Sequence, residues 1–192
     1  MNYLAHLHLG GQRPGQLLGS LYGDFVKGRL QGQFEPEIET AIQLHRSIDV
    51  FTDRHPLVDA SLSRFSLTRR RYAGIVLDVF FDHCLARDWR LYADRPLEEF
   101  TSDVYRVLSS QQQLPERLAR IAPHMVANDW LGSYQEFEVL EQVLRGISRR
   151  LTRPEELAFA MQELRRLYEP LSEDFRLFYP QLQEFSQISQ TA

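Results

Sequence analysis

The chain has 192 residues, 43% hydrophobic and 25% charged, which is the balance of a soluble domain with a sizeable core rather than of a disordered or fibrous chain. Its net charge of -4 argues against a general nucleic-acid binder, which favours a basic surface. A single cysteine, Cys84, excludes an intramolecular disulfide. Taken in chain order, Asn2 is placed to cap a short helix through Leu9, which Gly10 and Gly11 end. A second helix is predicted from Gln16 to Val26. Phe34 to Pro36 reads as a turn, with Pro36 at a favoured helix start. A third helix over Glu37 to Phe51 places Ile38, Ala41, Ile42, Leu44, Ile48 and Phe51 on one face. His55-Pro56 breaks the run before a shorter helix from Leu57 to Phe65. Arg69 to Tyr92 is the longest apolar segment and predicts a central, buried helix. Further amphipathic stretches cover Leu97 to Ser109, Pro115 to Asp129, Tyr134 to Arg150 and Pro154 to Tyr168. A last one starts at Ser172 and stops before Pro180. No segment alternates with period two, so the fold class is all-α. One helical domain is expected over 1–192, with a polar tail at 185–192 that frays.

The first eight residues lack a basic region and a long apolar run, so no signal peptide is expected. No stretch reaches the roughly 18 apolar residues of a membrane span. A cytoplasmic location is the resulting expectation.

Acids and histidines concentrate toward the N-terminus. Five of the six histidines fall within the first 83 residues, together with Asp24, Asp49, Asp53, Asp78 and Asp82. His45, Asp49 and Asp53 are four apart and share one face of the third helix and its exit. Asp78 and Asp82 are likewise four apart on the most apolar helix, with His83 beside them. A carboxylate among apolar neighbours is costly unless a cation or hydrogen-bond donors satisfy it, and two on one buried helix repel. A divalent metal removes both costs, and mixed histidine and carboxylate ligands suit Mn²⁺, Fe²⁺, Zn²⁺ or Mg²⁺. The competing structural reading pairs Asp49 and Asp53 with Arg46 and Arg54, and makes Asp82 and His83 a hydrogen-bonded core pair. A serine hydrolase is unsupported, because there is no G-x-S-x-G elbow and no strand-helix alternation. Arg69, Arg70 and Arg71 read either as a solvated helix end or as a docking surface for an acidic partner.

Four motifs in order, Asn2-Tyr3-Leu4-Ala5-His6-Leu7-His8-Leu9, Gly23-Asp24-Phe25-Val26-Lys27-Gly28, His45-Arg46-Ser47-Ile48-Asp49-Val50-Phe51-Thr52-Asp53 and Leu77-Asp78-Val79-Phe80-Phe81-Asp82-His83-Cys84-Leu85, resemble those of the bacterial acyl carrier protein phosphodiesterases. That family is an atypical, helical branch of the HD phosphohydrolase superfamily, which binds metal through a His…His-Asp…Asp pattern. The resemblance implies a distorted HD-like bundle. It also implies hydrolysis of the phosphodiester that joins 4'-phosphopantetheine to a serine of holo-acyl carrier protein, a step of lipid metabolism. Mn²⁺ is the implied cofactor, with Mg²⁺ or Fe²⁺ as substitutes, and the carrier protein is the implied partner; no nucleic acid or membrane is expected. Glycine stands at position 23 where the HD histidine belongs. Asp24 carries over as the aspartate, His6 as the first histidine with His8 as rival, and His45 as the replacement for the missing ligand. Asp78 or Asp82 stands for the final aspartate. Asp49 and Asp53 then orient water or complete the metal shell. His83 or His8 protonates the leaving oxygen, and Lys27, Arg46 or Arg54 neutralises phosphate charge. Two alternatives share these residues: an HD-type phosphohydrolase of a nucleotide, and a non-catalytic module that binds carrier proteins.

Overall fold

Three of the first four helices begin at a proline, whose fixed φ and missing N–H suit the first helical position. A computed structural model describes residues 1–149, 151–153, 157 and 160–191, and of residues 67–69 the backbone alone. Ten α-helices and no strand occur among the described residues: α1 (Tyr3–Leu9), α2 (Pro14–Tyr22), α3 (Pro36–Asp53), α4 (Pro56–Ser63), α5 (Ala73–Arg87), α6 (Leu97–Ser109), α7 (Glu116–Ala127), α8 (Trp130–Ser133), α9 (Val139–Ser148) and α10 (Ala160–Thr191). The all-α expectation therefore holds.

The pairing of α2 with α3 is the most extensive in the fold, and glycine explains it. Gly15, Gly19 and Gly23 recur every fourth residue and form one stripe at the interface. A Cβ at each would collide with Glu37, Ala41 and His45 respectively, which are also four apart. The constant offset means that the two helices run side by side in the same direction, with their backbones in close approach. Parallel neighbours need a long return, and residues 23–35 supply it. Arg46 pins this loop by donating from Nη2 to the Val26 carbonyl and from Nη1 to the Gly28 carbonyl, both at 2.9 Å. Gly28 and Gly32 adopt φ of +81° and +80°, which suits glycine.

α5 is the central helix. From Val76 to Ala86 every residue except Asp78 is buried. The predicted Arg69–Tyr92 helix is shorter in the structure, with a 3-10 turn at each end, Leu67–Tyr72 and Trp89–Leu91. The helix expected from Tyr134 is also shorter: α9 begins at Val139, and the one-turn α8 ends at Ser133, before that stretch. The largest difference lies at the C-terminal end, where a break after Tyr168 and a stop before Pro180 were expected. Instead α10 runs for 32 residues through Pro170 and Pro180. Each proline costs roughly 3 kcal/mol in a helix interior. Burial of Leu167, Leu171, Phe175, Phe178, Tyr179 and Leu182 offsets this, at about 1.5–3 kcal/mol for each large apolar side chain. Within the tail expected to fray, α10 continues to Thr191: Ser186 is buried and donates to the Leu9 carbonyl at 2.8 Å, joined by Gln190 at 2.9 Å. No helix among the described residues is long and apolar enough to cross a membrane.

Candidate metal centre

α1 is only seven residues long and almost wholly buried, so its free N-terminal N–H groups need partners. Asn2 occupies the cap position but makes no capping bond; its side-chain amide donates instead to the Tyr134 hydroxyl at 2.9 Å. The caps come from α5. Asp82 accepts from Leu4 N at 2.8 Å and from Ala5 N at 3.1 Å, one bond on each carboxylate oxygen. Burial pushes the Asp82 carboxyl up to about 7, against the pull of these two N–H groups. Asp82 thus orients α1, and through it His6. It is not among the residues that close on a common point.

Those residues are His6, His45 and Asp49. Among the described residues they form the one group of three whose side-chain donor atoms lie within 4.8 Å of one another. The His6 and His45 rings stack at 3.6 Å between centroids, 13° from parallel. His6 Nε2 lies 3.1 Å from Asp49 Oδ1, and His45 Nε2 lies 3.5 Å from Asp49 Oδ2. His45 donates its Nδ1 proton to the Ser20 carbonyl at 2.8 Å, which fixes the tautomer and leaves the Nε2 lone pair facing Asp49. A backbone carbonyl on the far nitrogen is the usual support of a metal-binding histidine. His6 is 1% exposed, and neither of its ring nitrogens has a hydrogen-bond partner among the described residues. Burial, with the neighbouring His45 ring, lowers its pKa to about 3, so the ring is neutral. For Asp49 burial acts upward, yet the two histidines hold it well below the usual carboxylate range. The set therefore brings two imidazoles and one carboxylate together, and fits a divalent cation of the borderline or hard kind.

Gly23 completes the local logic. A Cβ there would lie 2.2 Å from His45 Cγ. The imidazole of His45 occupies the volume that a side chain at position 23 would fill. Three carboxyl groups rim the cluster. Asp24 Oδ1 is 4.0 Å from His45 Nε2. Asp78 Oδ1 lies 3.1 Å from the Met1 amino nitrogen, which is itself 3.9 Å from Asp49 Oδ1. Burial raises the pKa of both Asp24 and Asp78. Asp53 is exposed at the end of α3, close enough for its charge to act on Asp78.

The remaining residues singled out from the sequence lie elsewhere or are already engaged. His83 donates from Nδ1 to the Tyr134 carbonyl and accepts from the Tyr168 hydroxyl, both at 2.8 Å. His8 is held between the Tyr179 hydroxyl at 2.7 Å and the Tyr92 carbonyl at 3.1 Å. Neither ring has a nitrogen left for a substrate, so neither is placed to protonate a leaving group. Arg46 is committed to the 23–28 loop. Arg70 donates weakly to the Ser63 carbonyl at 3.4 Å, and Arg71 lies over the Tyr72 ring. The side chain of Arg69 lies outside the described residues, as do Arg150 and Pro154. The residues not anticipated are the glycines that seat His45, and the signal for them was the four-residue spacing of Gly15, Gly19 and Gly23.

The family model described as acyl carrier protein phosphodiesterase matches residues 1–182. A protein of Yersinia enterocolitica serotype O:8 / biotype 1B with that name is 37% identical over 192 residues, covering 99% of this chain and 100% of the relative. Proteins of the same name from Serratia proteamaculans and Escherichia coli O6:H1 are 38% and 36% identical over 186 residues, 96% of either chain. No solved structure matches the chain significantly.

Proposed function

The chain belongs to the acyl carrier protein phosphodiesterase family, and on that premise we propose that it hydrolyses the phosphodiester between 4'-phosphopantetheine and a serine of holo-acyl carrier protein at a metal centre built by His6, His45 and Asp49. The observation that supports the metal assignment is the convergence of two buried imidazoles on the Asp49 carboxylate, with His45 oriented by a backbone carbonyl. Asp24 faces the same His45 nitrogen and completes the donor set. Mn²⁺ is the proposed ion, with Mg²⁺ or Fe²⁺ as substitutes, since two imidazoles and carboxylates suit these better than a thiolate-loving metal.

When bound, such an ion supplies Lewis acidity to the phosphodiester and to the attacking water. The protein's own residues do the rest. The His6–His45 stack and the Ser20 carbonyl hold the nitrogen donors in place before substrate arrives, so no reorganisation is required at reaction. Asp82 keeps α1, and with it His6, at a fixed height above α3. With Asp24 in the donor set, Asp78, whose carboxyl burial raises, is the group at the rim suited to take and return a proton. Lys27, the one lysine, and the exposed Arg54 supply positive charge for an anionic substrate.

The test is incubation of the purified protein with holo-acyl carrier protein and Mn²⁺, followed by mass analysis of the carrier. Loss of the phosphopantetheine mass, abolished by EDTA and by His45→Ala, is expected. A carrier left intact under saturating Mn²⁺ refutes the substrate; full turnover by His45→Ala refutes the centre.

A further inference from the structure

The return from α2 to α3, residues 23–35, contains no regular element, and irregular segments of that length are uncommon in a compact domain unless they serve a site. It carries Asp24 at its start. The Tyr22 carbonyl fixes where the chain leaves α2, accepting from Phe25 N and Val26 N, both at 2.8 Å. The rest of its path is set from α3. Glu39, in the first turn of α3, accepts through Oε1 from Gly32 N at 3.0 Å and from Phe34 N at 3.3 Å. Arg46 lies seven residues on, along the same face, and grips the Val26 and Gly28 carbonyls. Both of these bonds go to neutral oxygens, and Arg46 forms no ion pair among the described residues. A guanidinium spent on two carbonyls is a directed fork, which a lysine ammonium does not reproduce. Arg46 also stands between His45 and Asp49 in sequence, so one stretch of α3 supplies two donors of the centre and the anchor of the loop. A shift of that loop against α3 is therefore a shift of Asp24 against His45.

We propose that Arg46 is a positioning residue of the centre: its grip on Val26 and Gly28 holds Asp24 toward His45 Nε2, so that the fourth donor is in place before an ion arrives. The inference rests on the metal reading above and adds what delivers Asp24 to the site. The chain is fixed on both sides of Asp24. On one side Gly23 lies against the His45 ring, with no room between them for a side chain. On the other the clamp begins at Val26. Between these points Asp24 Oδ1 stands 4.0 Å from His45 Nε2. With its N–H groups turned to the loop, Arg46 acts through Asp24 and not on the substrate. This replaces the phosphate-neutralising role that the sequence left open for it. The two roles differ in what they require: neutralising phosphate needs only the charge, whereas the clamp needs the pair of directed N–H groups. Outer residues that orient a metal's ligands govern its affinity in this way.

The experiment titrates Mn²⁺ by calorimetry into the metal-free wild type, Arg46→Lys, Arg46→Ala, Asp24→Asn and the Arg46→Lys/Asp24→Asn double variant. Arg46→Lys keeps the charge and loses the fork; it is expected to bind Mn²⁺ at least about tenfold more weakly than the wild type, and within about threefold of Arg46→Ala. Because the clamp works through Asp24, the double variant is expected to fall within about threefold of Asp24→Asn alone. Trypsin, which cuts after Lys27 and Arg29, should open the loop of metal-free Arg46→Lys faster than that of the wild type. Glu39→Ala frees the loop further from Asp24, and it should leave Mn²⁺ affinity within about twofold. Wild-type affinity or wild-type tryptic resistance in Arg46→Lys overturns the proposal. Losses that simply multiply in the double variant also overturn it, since Arg46 then reaches the centre by another route. An equal loss in Glu39→Ala does the same, by reducing the clamp to general loop stability. A wild type that takes up no Mn²⁺ is a separate failure: it refutes the centre itself, whereas the other outcomes refute only the part of Arg46 in it.

Discussion

Replacing Gly23 by alanine adds one methyl group where the His45 ring packs against the α2 backbone. The backbone tolerates it, since φ is -50° and ψ is -36° at this helix end. Alone, the change would stabilise by roughly 0.4–1 kcal/mol, through the lost freedom of the unfolded chain. The side-chain geometry opposes it. The new Cβ would lie 2.2 Å from His45 Cγ, and ordinary contact begins near 3.4 Å, so the ring must retreat by about 1.2 Å. His45 is held by the 2.8 Å bond to the Ser20 carbonyl and by the stack on His6, and a shift of that size breaks the bond. Overpacking of this kind costs about 1–3 kcal/mol. The net loss is then at most about 2.6 kcal/mol, a fall in Tm of up to roughly 10 °C for a chain of this length. The larger effect falls on the metal: displacing a ligand and the partner that orients it is expected to weaken Mn²⁺ by at least about 10- to 100-fold. Isothermal titration with Mn²⁺ and thermal unfolding measure the two quantities on one sample. The reasoning also demands coupling. In a His45→Ala background the obstruction is gone, and Gly23→Ala should then stabilise by its backbone effect alone. Unchanged Mn²⁺ affinity in Gly23→Ala, or the same destabilisation with and without His45, would refute the account.

Further outcomes follow from the supporting residues. Asp82→Ala leaves the Leu4 and Ala5 N–H groups buried without acceptors, at about 1–3 kcal/mol each, so urea unfolding should show a loss of about 2–6 kcal/mol together with weaker metal binding; a loss below 1 kcal/mol would remove Asp82 from its capping role. His8 is lowered by burial from 6.5 to about 4, so between those values the unfolded chain binds the extra proton. The stability contributed by neutral His8 is therefore complete above pH 6.5 and is lost as pH falls through about 4. It amounts to about 3 kcal/mol, and His8→Gln should flatten that part of the stability–pH curve. Burial pushes the Cys84 thiol up to about 12, so Ellman's reagent should leave it unmodified until denaturant is added; stoichiometric reaction in buffer at pH 8 would contradict its place in the core.

The helices were legible because their burial is one-sided and periodic: the Ile38, Ala41, Ile42 and Ile48 pattern of α3 needs only the 3.6-residue repeat. α10 was misread at Pro170 and Pro180 because local propensity carries no information about five neighbouring helices; the packing that outweighs each proline is tertiary. The site was legible as a segment and less so as a list. His6, His45 and Asp49 converge as their residue types suggest. Asp82 and His83 have the same composition signal, but one is spent on two backbone N–H groups and the other on a carbonyl and a tyrosine. Sequence spacing alone does not distinguish a carboxylate that meets a cation from one that meets a helix end, because both relieve the same desolvation cost. Gly23 was noticed as a missing ligand, whereas its positive role depends on a neighbour 22 residues away.

The bonds from Ser186 and Gln190 to the Leu9 carbonyl have a consequence in time as well as in space. α1 carries His6 and is made first, yet one of its anchors is made almost last. At a synthesis rate of about 5–20 residues per second, the N-terminal segment waits roughly 10–35 s for α10 to arrive. During that interval its apolar face has no complete partner, and the nascent chain is expected to hold no ion at His6. A ribosome-arrested chain that ends before residue 160 should accordingly leave α1 open to protease, while release of the full chain closes it. On the proposed reading of the site, metal loading is then expected late in the life of each molecule, in chains that have been made through to their final helix.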